Sequence, residues 1–201
     1  MNWEAKIFQN HSNSSFEKLS LEIFQFQAKN NHIYKAYLRC LGVIPDEVKQ
    51  INQIPYLPIE FFKQENVVCK PNNIGAVFTS SGTSGMESKH IIHDIGIYEK
   101  SFTSGFEYFY GNTKDYAVLA LLPSYIERSG SSLIYMCEKL IKDSGKKESG
   151  FYLNDHKKLK NLLLELECQN QKTLLIGVSF ALLDFVEKHP VALKNTIVME
   201  T

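Results

Sequence analysis

The feature that most constrains the fold is an alternation of short apolar runs with amphipathic helical segments. Residues 116–122 and 173–178 are almost continuously apolar, which is typical of strands buried on both faces of a sheet. Between and after them, apolar residues recur at helical spacing over 131–142, 155–167 and 180–187. This order predicts βαβ units, and so an α/β fold with a mostly parallel sheet covered by helices on both faces.

Shorter elements complete this pattern. Strands are predicted at 76–79, 151–153 and 196–199, and a helix is predicted at 94–110. Ligands of such sheets bind beyond the carboxyl ends of the strands. The loop after residue 79, the turn at 123–125 and Ser179 are therefore expected at one edge of the sheet.

The first 52 residues are predicted to form a helical arm. Ser14 and Glu17 have the spacing of a capping box, and a break is expected near Asn30 and Asn31. Apolar residues at helical spacing predict the buried face of this arm: Phe16, Leu19, Ile23 and Phe26.

An α/β core is predicted over residues 53–201. It opens with the segment IPYLPIEFFK at 54–63, in which two prolines predict an extended stretch followed by one helical turn.

A loop of small hydroxyl residues and glycines, SSGTSG at 80–85, follows the strand predicted at 76–79. Gly82 and Gly85 tolerate positive φ, so backbone N–H groups can converge on an anion. The hydroxyls add donors, and Lys89 follows within reach. Such a loop suits a polyphosphate, although a flexible linker is the alternative for a stretch rich in serine and glycine. It matches neither the Walker A nor the Rossmann glycine pattern.

Composition argues against several partners. The chain has 201 residues, with 22 basic and 22 acidic side chains, so no global field attracts nucleic acid or an anionic membrane. The amino terminus lacks a signal-peptide pattern, and no apolar run is long enough to span a bilayer. The four cysteines are dispersed without metal-ligand spacing, which favours reduced thiols in a cytoplasmic protein.

The loop at 80–85 resembles the phosphate loop of the adenylate-forming superfamily. More closely, four stretches in order resemble the acyl-protein synthetase family, the fatty-acid-activating component of bacterial luminescence systems. They are 54–63, 78–90, 122–136 (LPSYIERSGSSLIYM) and 175–185 (LIGVSFALLDF). The resemblance implies a partial adenylate-forming domain. It also implies a reaction in which a carboxylate attacks the α-phosphate of ATP and the resulting acyl-adenylate passes its acyl group to a protein thiol.

The same resemblance implies an ATP site with Mg²⁺ as the counter-ion. Lys89 is expected to act as a catalytic cation, and Thr201 is expected near an adenine-side turn. The phosphate contacts are expected from Thr79, Ser80, Ser81, Gly82, Thr83, Ser84 and Gly85.

Four further residues are candidates for contact with the carboxylic acid substrate. Tyr125 is expected near the substrate carboxylate. Arg128 is a catalytic candidate that either pairs with that carboxylate or forms a surface pair with Glu127. His90 is a candidate for the acyl or phosphate pocket, or else a surface histidine. Ser179 is a substrate-binding candidate because it follows a buried strand.

Other functions fit the same residues. An acyl- or aryl-coenzyme A ligase differs only in the thiol that accepts the acyl group. A non-catalytic acyl-binding subunit, or a transferase that uses a preformed acyl donor, would keep the fold without needing ATP. The chain stops directly after a predicted strand, so we expect it to be part of a longer enzyme and to be weakly active or inactive alone. The family's lid lysine and acceptor cysteine are expected beyond residue 201.

Overall fold

A computed structural model describes most of the chain, in two compact units that span Met1–Lys100 and Ser101–Thr201. Each unit has its own core. The division predicted between residues 52 and 53 stays a prediction. The described residues are 3–9, 12–70, 72, 74–80, 87–123 and 130–201.

The amino-terminal unit is mainly helical before residue 70, as predicted for its arm. Its helices are α1 (Trp3–Ile7), α2 (Asn13–Asn30), α3 (His32–Cys40) and α4 (Phe61–Gln64), with 3-10 turns at Pro45–Glu47 and Ile51–Gln53.

The break between α2 and α3 is confirmed at Asn31. Its backbone is extended, and its side chain accepts a hydrogen bond from the backbone N–H of Tyr34 at 3.2 Å, which starts α3. The predicted cap of α2 at Ser14 is wrong. The cap is Ser12, whose hydroxyl accepts from the backbone N–H of Ser15.

The buried face of α2 also differs from the predicted one. Leu19 is buried, but Phe16 is 56% exposed. The core of this unit instead uses Phe24 and Ala28, which pack with residues of α3 and of the segment after it. The apolar spacing of α2 is compatible with burial of either of two neighbouring faces, and packing against α3 determines which face is buried.

Before the start of the next helix, this unit contains a β-hairpin that the sequence patterns did not predict. Strand β1 (Ala76–Thr79) pairs antiparallel with β2 (Lys89–Ile92), and within the described residues these two strands form a separate sheet. The expectation that the strand at 76–79 belongs to the parallel sheet is therefore wrong, and the expected position of the loop after it stays a prediction. The chain reverses its direction after residue 79. The backbone N–H and C=O groups on one side of β1 are therefore hydrogen-bonded to the antiparallel strand β2 and not to a parallel strand.

The carboxyl-terminal unit has the predicted α/β architecture. Among the described residues, parallel strands lie in the order β4-β3-β5-β6. Helices flank the sheet, and the first of them, α5, begins in the preceding unit. In chain order the elements are α5 (Ile95–Tyr110), β3 (Ala117–Leu121), α6 (Ser132–Ser144), β4 (Gly150–Phe151), α7 (His156–Cys168), β5 (Thr173–Gly177), α8 (Ser179–Lys188) and β6 (Thr196–Glu200).

Both faces of this sheet are covered, because alternate residues of β3 point to opposite sides. Leu119 and Leu121 pack with the leucines of α7 and with Phe185 of α8. Val118 packs with residues of α5 and α6, among them Phe106 and Leu140. The continuous apolar runs of β3 and β5 thus reflect burial on two sides, as predicted.

Candidate functional site

The β-hairpin brings together the described residues that flank the predicted phosphate loop. Thr79 is the register partner of Lys89, and Phe78 is the partner of His90. The backbone N–H of Ser80 donates to the carbonyl of Ser88 at 3.1 Å. The backbone N–H of Ser88 donates in return to the Ser80 hydroxyl at 3.0 Å. These bonds hold the two ends of the glycine-rich segment side by side.

The two faces of this hairpin have different environments. Phe78 is buried, and its ring packs on Tyr98 with centroids 5.0 Å apart. Lys89 is exposed and shares a face with Thr79, because paired residues of antiparallel strands point the same way. The ammonium of Lys89 is therefore available to an anion at the base of the predicted loop.

Several predicted site residues lie outside the described parts of the chain. They are Ser81, Gly82, Thr83, Ser84 and Gly85 of the loop, and Tyr125 and Arg128 after β3. Their roles stay predictions.

Ser179 and Thr201 come together at the carboxyl edge of the parallel sheet. The backbone N–H of Thr201 donates to the carbonyl of Gly177 at 3.1 Å, which continues the pairing of β5 with β6. The hydroxyl of Ser179 donates to the carboxylate of Glu200. Both residues are exposed, so this edge presents hydroxyl and carboxylate groups to solvent.

A cavity of about 520 Å³ lies in the amino-terminal unit, and we call it the α2 cavity. Its volume falls within the roughly 300–1,000 Å³ of small-molecule sites. Its walls come from α2, from the start of α3, from residues 54–57, 62 and 67–69, and from the hairpin through His90, Ile91 and His93.

The sequence patterns indicated one residue of this cavity, His90, and missed the rest. His90 is exposed and contacts the ring of Phe62, with centroids 5.9 Å apart. Cys69 also belongs to the lining, and burial raises the pKa of its thiol while the nearby Lys70 opposes part of that rise. The missed signal was the stripe of α2 formed by Ser20, Ile23, Phe24 and Gln27, of which only Ile23 belonged to the predicted buried face.

Among the described residues, no three or more histidine, cysteine or acidic side chains are grouped so as to hold a metal ion. None of the helices in the described part of the chain is long and apolar enough to cross a membrane. Of the cysteines, Cys137 is buried, and burial raises the pKa of its thiol to about 12.

Two comparisons with known proteins agree with each other. The family profile described as "Acyl-protein synthetase, LuxE" matches residues 6–122. The chain is also similar to the long-chain-fatty-acid–luciferin-component ligase of Photorhabdus luminescens, with 34% identity over 74 residues. That match covers 36% of this chain and 63% of the relative. The family profile spans α2 to β3 and so includes both the β-hairpin and the α2 cavity.

Proposed function

The chain belongs to the acyl-protein synthetase family, and from this premise we propose that it takes part in ATP-dependent activation of a fatty acid. The acid is converted to an acyl-adenylate, and its acyl group then passes to a protein thiol. The name of the matched relative, a long-chain-fatty-acid ligase, supports this assignment. Within the structure, the observation that carries it is the pairing of Thr79 with Lys89 at the base of the glycine-rich loop.

The chemistry has two balanced steps. A carboxylate oxygen of the acid attacks the α-phosphorus of ATP, the bond from that phosphorus to the bridging oxygen breaks, and pyrophosphate leaves with the electron pair. A thiolate, whose proton has gone to solvent, then attacks the acyl carbon. The carbon–oxygen bond to AMP breaks, which yields the thioester and AMP.

The first step places negative charge on pyrophosphate, and the chain must stabilise it. In the proposed arrangement the backbone and hydroxyl donors of residues 79–85 bind the phosphates, and the ammonium of Lys89 faces the leaving group. Mg²⁺, when bound, neutralises part of the phosphate charge. At such sites Mg²⁺ is usually bound through the phosphates of the nucleotide together with one or two carboxylates.

Binding of ATP tests the role of the hairpin. ATP at a hundred times its Kd should raise the free energy of unfolding by about 2.7 kcal/mol. Lys89→Ala should remove most of this stabilisation without altering the apo protein, because the side chain is exposed. Lys35→Ala, which changes an exposed lysine on α3, serves as the matched control. Equal stabilisation of both variants by ATP would contradict the proposed phosphate site.

Exchange of pyrophosphate into ATP tests the reaction itself. The exchange should require an added fatty acid, because the acyl-adenylate forms only from the acid. The acceptor is tested by offering a protein thiol and coenzyme A in competition. Transfer to coenzyme A alone would replace the protein-acylating function with that of a coenzyme A ligase.

A further inference from the structure

The α2 cavity is lined by one face of a helix. Ser20, Ile23, Phe24 and Gln27 occupy helix positions i, i+3, i+4 and i+7, so their side chains lie along a single stripe of α2. The lining also includes apolar residues of the extended segments, among them Leu57 and Val68. The surface that a ligand would meet is therefore mainly hydrocarbon.

The polar atoms of the lining are largely engaged with one another. The Tyr34 hydroxyl donates to the carbonyl of Pro55 at 2.5 Å. The side-chain oxygen of Gln27 accepts from the Cys69 thiol at 3.1 Å and from the Asn31 amide at 3.3 Å. A polar ligand would have to compete with these bonds, whereas an apolar chain would leave them intact.

One side of the cavity is different, because the hairpin strand β2 forms it. His90 contributes an exposed imidazole there, and Lys89 precedes it at the base of the predicted phosphate loop. Both groups can donate hydrogen bonds to an anion. The cavity therefore combines apolar walls with the hydrogen-bonding imidazole of His90, on the same strand as Lys89 of the proposed ATP site.

We propose that the α2 cavity binds the hydrocarbon chain of an aliphatic carboxylic acid, with the carboxylate on the His90 side next to the hairpin. The inference rests on the proposed function and adds the place at which the acid is held. In this arrangement β2 joins the two substrates. Its residues His90 and Ile91 line the acid, and Lys89 faces the phosphates of ATP.

Thiol alkylation on the intact chain tests the position of the acid without any variant. Cys69 lines the cavity, whereas Cys40 and Cys168 are exposed and do not line it. Dodecanoic acid at ten times its Kd should slow the reaction of Cys69 with a maleimide about ten-fold, by mass action. Peptide mass spectrometry follows each cysteine separately. Equal slowing of all three thiols, or no slowing at Cys69, would overturn the proposal.

Filling the cavity gives a second test. Ile23→Trp adds bulk to the lining face of α2 and should weaken dodecanoate binding by about ten-fold, or roughly 1.4 kcal/mol. Leu21→Trp makes a similar enlargement at a half-buried position of the same helix that does not line the cavity, and its affinity should stay unchanged. Equal affinity in both variants refutes the site.

Dodecylamine separates the role of the charge from that of the chain. It should bind more weakly than dodecanoate, because its ammonium cannot accept the hydrogen bond that the His90 imidazole can donate to a carboxylate. Tighter binding of the amine would refute the assigned orientation.

All of these measurements omit ATP. If ATP does not bind but dodecanoic acid still protects Cys69 from alkylation, only the proposed ATP site is rejected. If ATP binds but dodecanoic acid does not protect Cys69, only the proposed acid site in the cavity is rejected.

Discussion

One carboxylate connects the segment that leads into β6 with helix α7, in addition to the pairing of β6 with β5. Glu167, near the end of α7, accepts hydrogen bonds from the backbone N–H groups of Lys194 and Asn195 at 2.9 and 3.0 Å. It also accepts from the Thr196 hydroxyl at 2.6 Å and from the side-chain amide of Asn195 at 3.3 Å. These donors immediately precede or begin β6, the strand that leads to Thr201. We expect Glu167→Ala to loosen this edge of the sheet.

The magnitude follows from the bonds that are lost. A hydrogen bond to a charged group contributes roughly 1.5–3 kcal/mol, but Glu167 is half-buried and water replaces part of what the substitution removes. We therefore expect Glu167→Ala to cost about 2 kcal/mol in total, and Glu167→Gln about half as much, since an amide oxygen still accepts.

The contribution of Glu167 should depend on pH in a defined direction. Partial burial alone would raise its pKa, but the hydrogen bonds from Thr196, Lys194 and Asn195 outweigh that effect and lower it below the usual 4.5. A carboxyl group with a lowered pKa in the folded state stabilises the fold above its unfolded pKa. The difference between wild type and Glu167→Gln should therefore be largest near neutral pH and should shrink as the pH falls below 4.5 through the folded pKa.

Hydrogen exchange at the amides of β6 measures the effect locally. A loss of 2 kcal/mol should speed exchange through local opening about 30-fold. Glu165→Ala is the matched control, because Glu165 lies on the same helix and its carboxylate accepts only from the Gln169 side chain among the hydrogen bonds described for it. If exchange in β6 responds equally to both variants, or to neither, the anchoring role of Glu167 is wrong.

Three further predictions address the packing of both units. Tyr34→Phe should lower the free energy of unfolding in urea by about 1 kcal/mol, because the hydrogen bond to the Pro55 carbonyl is lost. Burial raises the pKa of Tyr34 to about 12. The contribution of the Tyr34 hydroxyl to stability should therefore persist up to about pH 10 and be lost as the pH rises through 12, and absorbance titration of the tyrosine checks the raised pKa. Gly145→Ala should destabilise the fold by about 1 kcal/mol, because φ is +63° at this residue after α6. Gly105→Ala should stabilise the fold by about the same amount, because it replaces a glycine within α5 by a better helix former. Thermal unfolding of the two variants compares these effects. Cys137→Ser should cost about 1–3 kcal/mol, since it places a hydroxyl among apolar side chains, and Cys137→Ala shows in the same unfolding assay how much of this is due to the hydroxyl.

Much of the carboxyl-terminal unit was predictable because its signals are local. The apolar runs of β3 and β5, and the helical stripes of α6 and α7, each occur within about a dozen residues. Two exceptions lie at α7. Its cap is Asp155, whose side chain accepts from the backbone N–H of Lys158 at 3.0 Å. Sequence alone favours Asn154, the preceding residue, as this cap, but helix ends shift easily by a residue. The apolar helical pattern also predicts that Cys168 is buried, but this residue is exposed at the end of the helix.

The candidate site was predicted only in part. Composition and resemblance indicated Thr79, Ser80 and Lys89, which the hairpin brings together. They did not indicate that 89–92 forms a strand, because four residues with two charged or polar members carry almost no periodic signal. The lining of the α2 cavity was missed for another reason. Its residues come from separate parts of the first hundred positions, and each looks like an ordinary core or surface residue alone.

The sequence by itself determined the type of most elements, the α/β class of the second unit and the residues flanking the glycine-rich loop. These follow from backbone geometry and apolar spacing, which act over neighbouring residues. Only the tertiary structure decided which strand pairs with β1, which face of α2 is buried, and that a cavity opens beside His90. Each of these features depends on residues that are distant in the chain. The hydrophobic effect favours contact between apolar surfaces but is not directional, so it does not specify which distant segment provides the contact.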